Sequence, residues 1–165
     1  MAIDKIQSES INLTDDFAFT GTVTGAGEAN KPAFAATASA DQSVASGVET
    51  KVVFNSEIFD TDNCYDPSTN YRFTPNKAGK YFLMANIRCR RTTDFNDMQI
   101  SIKKNGSNIN RFQNNSSQHN ESQLLTTIVE ANGSSDYFEV FCSQSSGETD
   151  TAMNVFEFSG FYIGS

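Results

Sequence analysis

The feature that most constrains this chain is the period of its apolar residues. They recur at every second position over short runs, and turn-forming residues cut the runs apart. Tyr81, Leu83, Ala85, Ile87 and Cys89 fall on one face of such a run, and Met98, Ile100 and Ile102 alternate with Gln99, Ser101 and Lys103. A two-residue period puts one side of an extended strand against a core, whereas a helix needs a period of about 3.6. No ten-residue stretch carries that helical period. Closely spaced short strands with turns between them make a sandwich or a barrel. The aromatic content agrees: 14 Phe and 5 Tyr in 165 residues, without Trp, suit pleated surfaces. The length fits one domain plus an appendage.

The pattern places strands at Ala33–Thr37, at Thr50–Asn55 with Val52 and Phe54 on one side, and briefly at Tyr71–Phe73. Phe82 and Met84 make the second face of the Tyr81–Cys89 strand apolar near its start, as expected of a central strand. Asn105-Gly106 predicts a type I′ hairpin, because both central residues of that turn need positive φ. Gln123–Glu130 and Asp136–Ser143 read as a second hairpin about Asn132-Gly133, and Ala152–Ile163 closes the chain.

Residues 1–30 read differently from 31–165. Phe17, Phe19 and Val23 alternate with Ala18, Thr20 and Thr22, and Thr24-Gly25-Ala26-Gly27 follows as a joint. A strand of this kind cannot bury itself. It is expected to act as an arm that packs on a sister chain or on another protein; the alternative is that it adds a strand to its own domain.

A net charge of −8 argues against a nucleic-acid ligand, whose phosphates are met by Lys and Arg. The local exception is Arg88-Cys89-Arg90-Arg91, where Arg88, Arg90 and Arg91 are read as assembly contacts. Cys64, Cys89 and Cys142 form no C-x-x-C pair and fit no zinc module. Cys89 and Cys142 sit in strand patterns and are expected to be buried, while Cys64 lies in a loop and is the thiol to watch. His119 stands alone among Asn, Ser and Gln, so no catalytic set is read and no enzyme is expected. Asp60, Asp62, Asn63 and Asp66 are read first as turn formers. As the alternative, Asp60, Asp62 and Asp66 supply the oxygen donors that calcium takes. No apolar run reaches the ~20 residues of a membrane helix, and no leader is read, so synthesis in a host cytoplasm is expected.

Phe54, then Asn63-Cys64-Tyr65-Asp66, Phe73-Thr74-Pro75 and Ala78-Gly79-Lys80-Tyr81-Phe82 follow one another in an order that resembles a known family. So do Lys104-Asn105-Gly106, Leu124–Val129 with Asn132-Gly133, and Phe158-Ser159-Gly160-Phe161. This is the pattern of the complement globular-head and tumour-necrosis-factor-like jelly rolls, over about residues 32–163. The resemblance implies an all-β jelly-roll sandwich of about ten antiparallel strands that forms a homotrimer. It also implies, for some members, calcium near the trimer apex. The arm, Ile11 to Val23, resembles leader segments of bacteriophage virion proteins, in which Ala-Phe-Thr-Gly-Thr-Val strings recur. Together these lead to the expectation of a phage structural protein on the virion surface: a trimeric knob that decorates or cements the capsid, its arm on the major capsid protein or another virion protein. The alternative is a receptor- or glycan-binding tip of a tail or head fibre, with Tyr65, Tyr71 and Phe95 stacking on sugar.

Overall fold

The computed structural model describes residues 30–90, 97–115, 120–147 and 151–165. Among them the chain forms β1 (Ala33–Thr37), β2 (Gln42–Val44), β3 (Thr50–Lys51), β4 (Ser56–Asp60), β5 (Tyr65–Asp66) and β6 (Arg72–Phe73). Longer strands follow: β7 (Ala78–Arg90), β8 (Asp97–Lys104), β9 (Ser107–Asn114), β10 (Asn120–Asn132), β11 (Phe138–Ser145) and β12 (Thr151–Gly164). The first sheet runs β10-β7-β12-β1-β4, with β2 beside β12. The second runs β5-β6-β11-β8-β9, with β3 beside β11. All pairings between these strands are antiparallel. The all-β sandwich expected from the sequence is therefore present. Its strands number twelve rather than about ten, since pairings as short as β3 and β5 count.

The alternating pattern of β7 is the spine of the first sheet. Tyr81, Leu83, Ala85, Ile87 and Cys89 all point inward and are buried. They meet Met98, Ile100 and Ile102 of β8 and Phe138, Val140 and Cys142 of β11 in one continuous core. The two sheets lock through aromatic rings. Phe34 of β1 stacks on Phe73 of β6 with centroids 4.3 Å apart and on Tyr65 of β5 at 5.0 Å. Phe158 of β12 meets Phe34 edge-on at 4.9 Å. Gly160 makes room for this packing, because a Cβ there would sit 2.5 Å from Leu83 and 3.1 Å from the Phe34 ring.

Asn105-Gly106 turns β8 into β9 with φ of +52° and +80°, the hairpin read from the sequence. Asn132-Gly133 is different. β10 pairs with β7 and β11 pairs with β8, so the expected second hairpin is instead a crossing from one sheet to the other. The Asn132 side chain builds this corner, its Oδ1 accepting the N–H groups of Ser134, Ser135 and Asp136. Asp136 then ties the corner to the first hairpin. It accepts from Asn105 Nδ2 at 2.7 Å and from the Asn132 N–H at 2.8 Å, and pairs with Lys104 at 2.9 Å. The hydrogen bond from Lys104, then that from Asn105, holds its carboxyl below the ordinary value.

Gly106 and Gly133 both have positive φ, yet only Gly133 is crowded: a Cβ there would lie 2.2 Å from the Ala78 N, whereas at Gly106 it meets nothing within 4 Å. Gly106→Ala is expected to cost about 1–2 kcal/mol from φ alone. Gly133→Ala should cost a further ~1–3 kcal/mol for the clash. Urea unfolding of the two variants measures this, and equal losses would refute the role given to the contact with Ala78.

Candidate functional site

The two outer faces of the sandwich differ in kind. On the second sheet the outer face is polar and ion-paired. Lys51 pairs with Glu139, Lys103 with Glu49 at 2.6 Å, and both lysines lie against the Phe141 ring. Arg72 covers Tyr137, its guanidinium carbon 4.3 Å from the ring centre.

The outer face of the first sheet carries an exposed apolar band, with polar residues such as Asn86, Arg88 and Thr126 beside it. Register sets Ile128 of β10 beside Phe82 of β7, and Phe82 beside Phe161 of β12, with these two rings 5.5 Å apart. Ile128 is 65% exposed and Leu124 58%. Phe59 of β4, paired with Ala35 of β1, continues the exposed apolar surface. Around the β10 edge, Ile109 and Phe112 of β9 are also exposed. Asn110 of β9 donates to the Thr126 carbonyl of β10 at 3.0 Å, so the edges of the two sheets are joined there. Scattered apolar side chains on a surface are ordinary, but a contiguous run marks a place of contact.

Within this face lies a groove of about 410 Å³. Phe59 forms one wall and Phe82, Met84 and Phe161 the other. It exists because the strands between carry small residues, Ala33 and Ala35 on β1 and Ser159 on β12. Asn30 sits at its rim, and among the described residues Glu157 is its one charged lining residue.

Of the aspartates read as a calcium alternative, Asp60 and Asp66 accept backbone N–H groups of their own turns, and Asp62 accepts from the Thr61 hydroxyl. Asp60 accepts the N–H groups of Asp62 and Tyr65 on its two oxygens. Asp66 closes the 66–70 turn: Oδ1 accepts from the N–H groups of Ser68 and Thr69 and from the Ser68 hydroxyl, and Oδ2 accepts from Asn70 twice. Among the described residues no group of three or more His, Cys, Asp or Glu is arranged to hold a metal ion, and Asp60, Asp62 and Asp66 do not converge.

Tyr65, read as a surface aromatic for sugar stacking, is buried at 6% exposure. Its hydroxyl donates to the Phe54 carbonyl at 2.9 Å, and its ring belongs to the Phe34 stack. Tyr71 is half-buried, with φ of +51°. Cys64 is not the accessible loop thiol expected; it is 5% exposed and burial raises its pKa, which suppresses the thiolate. Cys89 and Cys142 are buried as expected. Arg88 stands on the first sheet's outer face next to Asn86, and Arg90 ends β7. Phe17, Phe19, Val23, Arg91, Phe95 and His119 lie outside the described residues. Sequence reading passes over Leu124, Ile128, Phe161 and Phe59. The signal is available in β10, where both parities carry apolar residues: Leu125 and Val129 inward, Leu124 and Ile128 outward.

The Thr69 N–H, followed by Ser68 and Asn70, holds the Asp66 carboxyl well below its ordinary value. A depressed folded pKa stabilises fully above the unfolded value of ~3.9 and is lost as pH falls through the folded value. Asp66→Ala should lower stability at neutral pH by about 1–3 kcal/mol and leave the variant less sensitive to acid below pH ~4. Unfolding curves at neutral and acid pH check this; an unchanged midpoint at neutral pH would refute it. Millimolar calcium should leave the melting temperature unchanged, since the oxygens of Asp60 and Asp66 already accept local N–H groups.

Residues 33–163 match the C1q domain family. Among solved structures, the globular domain of zebrafish complement 1qA protein is 15% identical, with a TM-score of 0.57 over 80% of this chain and 96% of that one. Murine APRIL is 10% identical, with a TM-score of 0.61 over 79% and 98%. Eiger TNF from S. frugiperda is 7% identical, with a TM-score of 0.57 over 81% and 91%. At these identities the likeness is one of fold. Among curated proteins none matches the chain. The match over residues 33–163, which spans the sandwich, places the chain in the C1q domain family.

Proposed function

We propose that this chain is a bacteriophage virion structural protein, a homotrimeric knob on the virion surface that decorates or cements the capsid. It acts by assembly and binding, without catalysis. The observation that carries the assembly reading is the contiguous apolar band on the outer face of the first sheet, from Ile128 through Phe82 to Phe161. Left in water this surface is unfavourable at roughly 25 cal/mol per Å² of apolar area. A second copy removes it from water. The apolar surface also turns the corner onto Ile109 and Phe112 of β9, so the edge of one copy can seat on the face of the next. Such an interface is heterologous, and three copies close it into a ring that leaves no free apolar surface to recruit more. The virion half of the proposal rests on the resemblance of Ile11–Val23 to phage leader segments, with the arm directed to the major capsid protein.

Sedimentation at micromolar concentration should give three times the 18.1 kDa chain mass. Ile128→Asp combined with Phe161→Asp should shift the protein to monomer while its far-UV spectrum stays that of a sheet protein. A stable wild-type monomer would overturn the trimer. Binding of the purified protein to empty capsids tests the virion half, and glycan-specific binding without capsid binding would replace it with a fibre-tip role.

A further inference from the structure

The groove on the first sheet and the chain that leads into it are complementary. Asn30 stands at the groove's rim, so the 29 residues ahead of it enter the domain at that point. Residues 17–27 carry no charged side chain, although charged residues make up 19% of the whole chain. Their apolar members Phe17, Phe19 and Val23 fall on one side of a two-residue period. The groove is walled by Phe59, Phe82, Met84 and Phe161. An uncharged aromatic stripe and an aromatic-walled groove thus meet at one end of the same chain.

We propose that residues 17–23 fold back over the joint at Gly25-Ala26-Gly27 and set Phe17 and Phe19 into the groove of the same copy. The reach is sufficient. Phe19 lies eleven residues before Asn30, which spans up to ~36 Å when extended. Crossing from β7 to β4 takes roughly 14 Å at the spacing of adjacent strands. The proposal deepens the assembly reading and rests on it for one point, that this face is covered in the working protein. A sister copy seated on Ile128, Phe82 and Phe161 would otherwise seal a void over Ala33, Ala35 and Ser159. The arm fills that void, and residues 1–16 remain to reach the particle.

Cysteine cross-linking in the full-length protein tests this. Phe19→Cys with Ser159→Cys in one chain should, on mild oxidation, give a link within a single chain, seen as a shifted band of monomer mass on a non-reducing gel. The wild type is the control, since its three cysteines are buried. Covalent dimers in place of the internal link would overturn the proposal in favour of a sister's arm, and no link would overturn it outright. Because Phe19→Cys itself removes a ring, hydrogen exchange of the unaltered protein is the second measurement. Amides of 17–23 should exchange at least tenfold more slowly than those of the isolated peptide, and Ser159→Trp, which fills the groove, should abolish the difference. Exchange at the peptide's rate, or protection that persists in Ser159→Trp, overturns it. Sedimentation of the same samples keeps the two readings apart. A monomer that still forms the internal link loses only the trimer, and a trimer without the link loses only this inference.

Discussion

Phe34 is the residue on which the sandwich closes. It belongs to the first sheet, yet its ring lies between Tyr65 and Phe73 of the second and against Phe158 of its own. Stacked and edge-on ring pairs add ~0.5–1.5 kcal/mol each beyond the area they bury. The relay continues from Phe73 to Tyr81 and to Phe138, and from Tyr81 to Tyr162, so six strands share one aromatic cluster. Two other features follow from it. Position 160 must be small to admit the Phe34 ring, and Tyr65 must be inside, which commits its hydroxyl to the Phe54 carbonyl and removes it from any ligand surface.

With the inner faces joined in this way, the outer faces are left to differ. The second sheet ends in ion pairs and lysines laid on aromatic rings, a surface compatible with water. The first ends in Ile128, Phe82, Met84 and Phe161. Membership of the C1q domain family accounts for the common frame, since the family match spans the whole sandwich. The small residues of β1 and β12 add local relief to that frame, and this relief makes the groove.

Much of the fold is legible in the sequence because it depends on period. β7 and β8 alternate cleanly, and Asn105-Gly106 has one good use between two strands. The Asn132-Gly133 corner is not legible in the same way, because a positive φ reports a turn but not which partner the next strand takes. Here the Asp136 network directs β11 to β8. The aspartates between β4 and β6 illustrate the limit for sites. The same residue types serve a cation or a backbone turn, and only the direction of each oxygen, as at Asp66, separates the two. The apolar face is half legible. Phe82 and Met84 stand out in the sequence but read as the mark of a central strand, because a single strand does not reveal whether its second apolar side meets a core or another molecule.

One end of the sandwich is closed by rings and the other by amides. Gln123 and Gln144 are buried toward the latter, with Gln123 reaching the Met98 carbonyl in the opposite sheet and Gln144 that of Val44. The chain enters β1 at the aromatic end, where the Tyr162 N–H bonds the Pro32 carbonyl. Tension on the chain ahead of Asn30 is therefore delivered to β1 along its length, between β12 and β4. Ladder hydrogen bonds run perpendicular to antiparallel strands, so such a load strains several of them together rather than one after another. A tether pulling along β1 would load both of its ladders in shear.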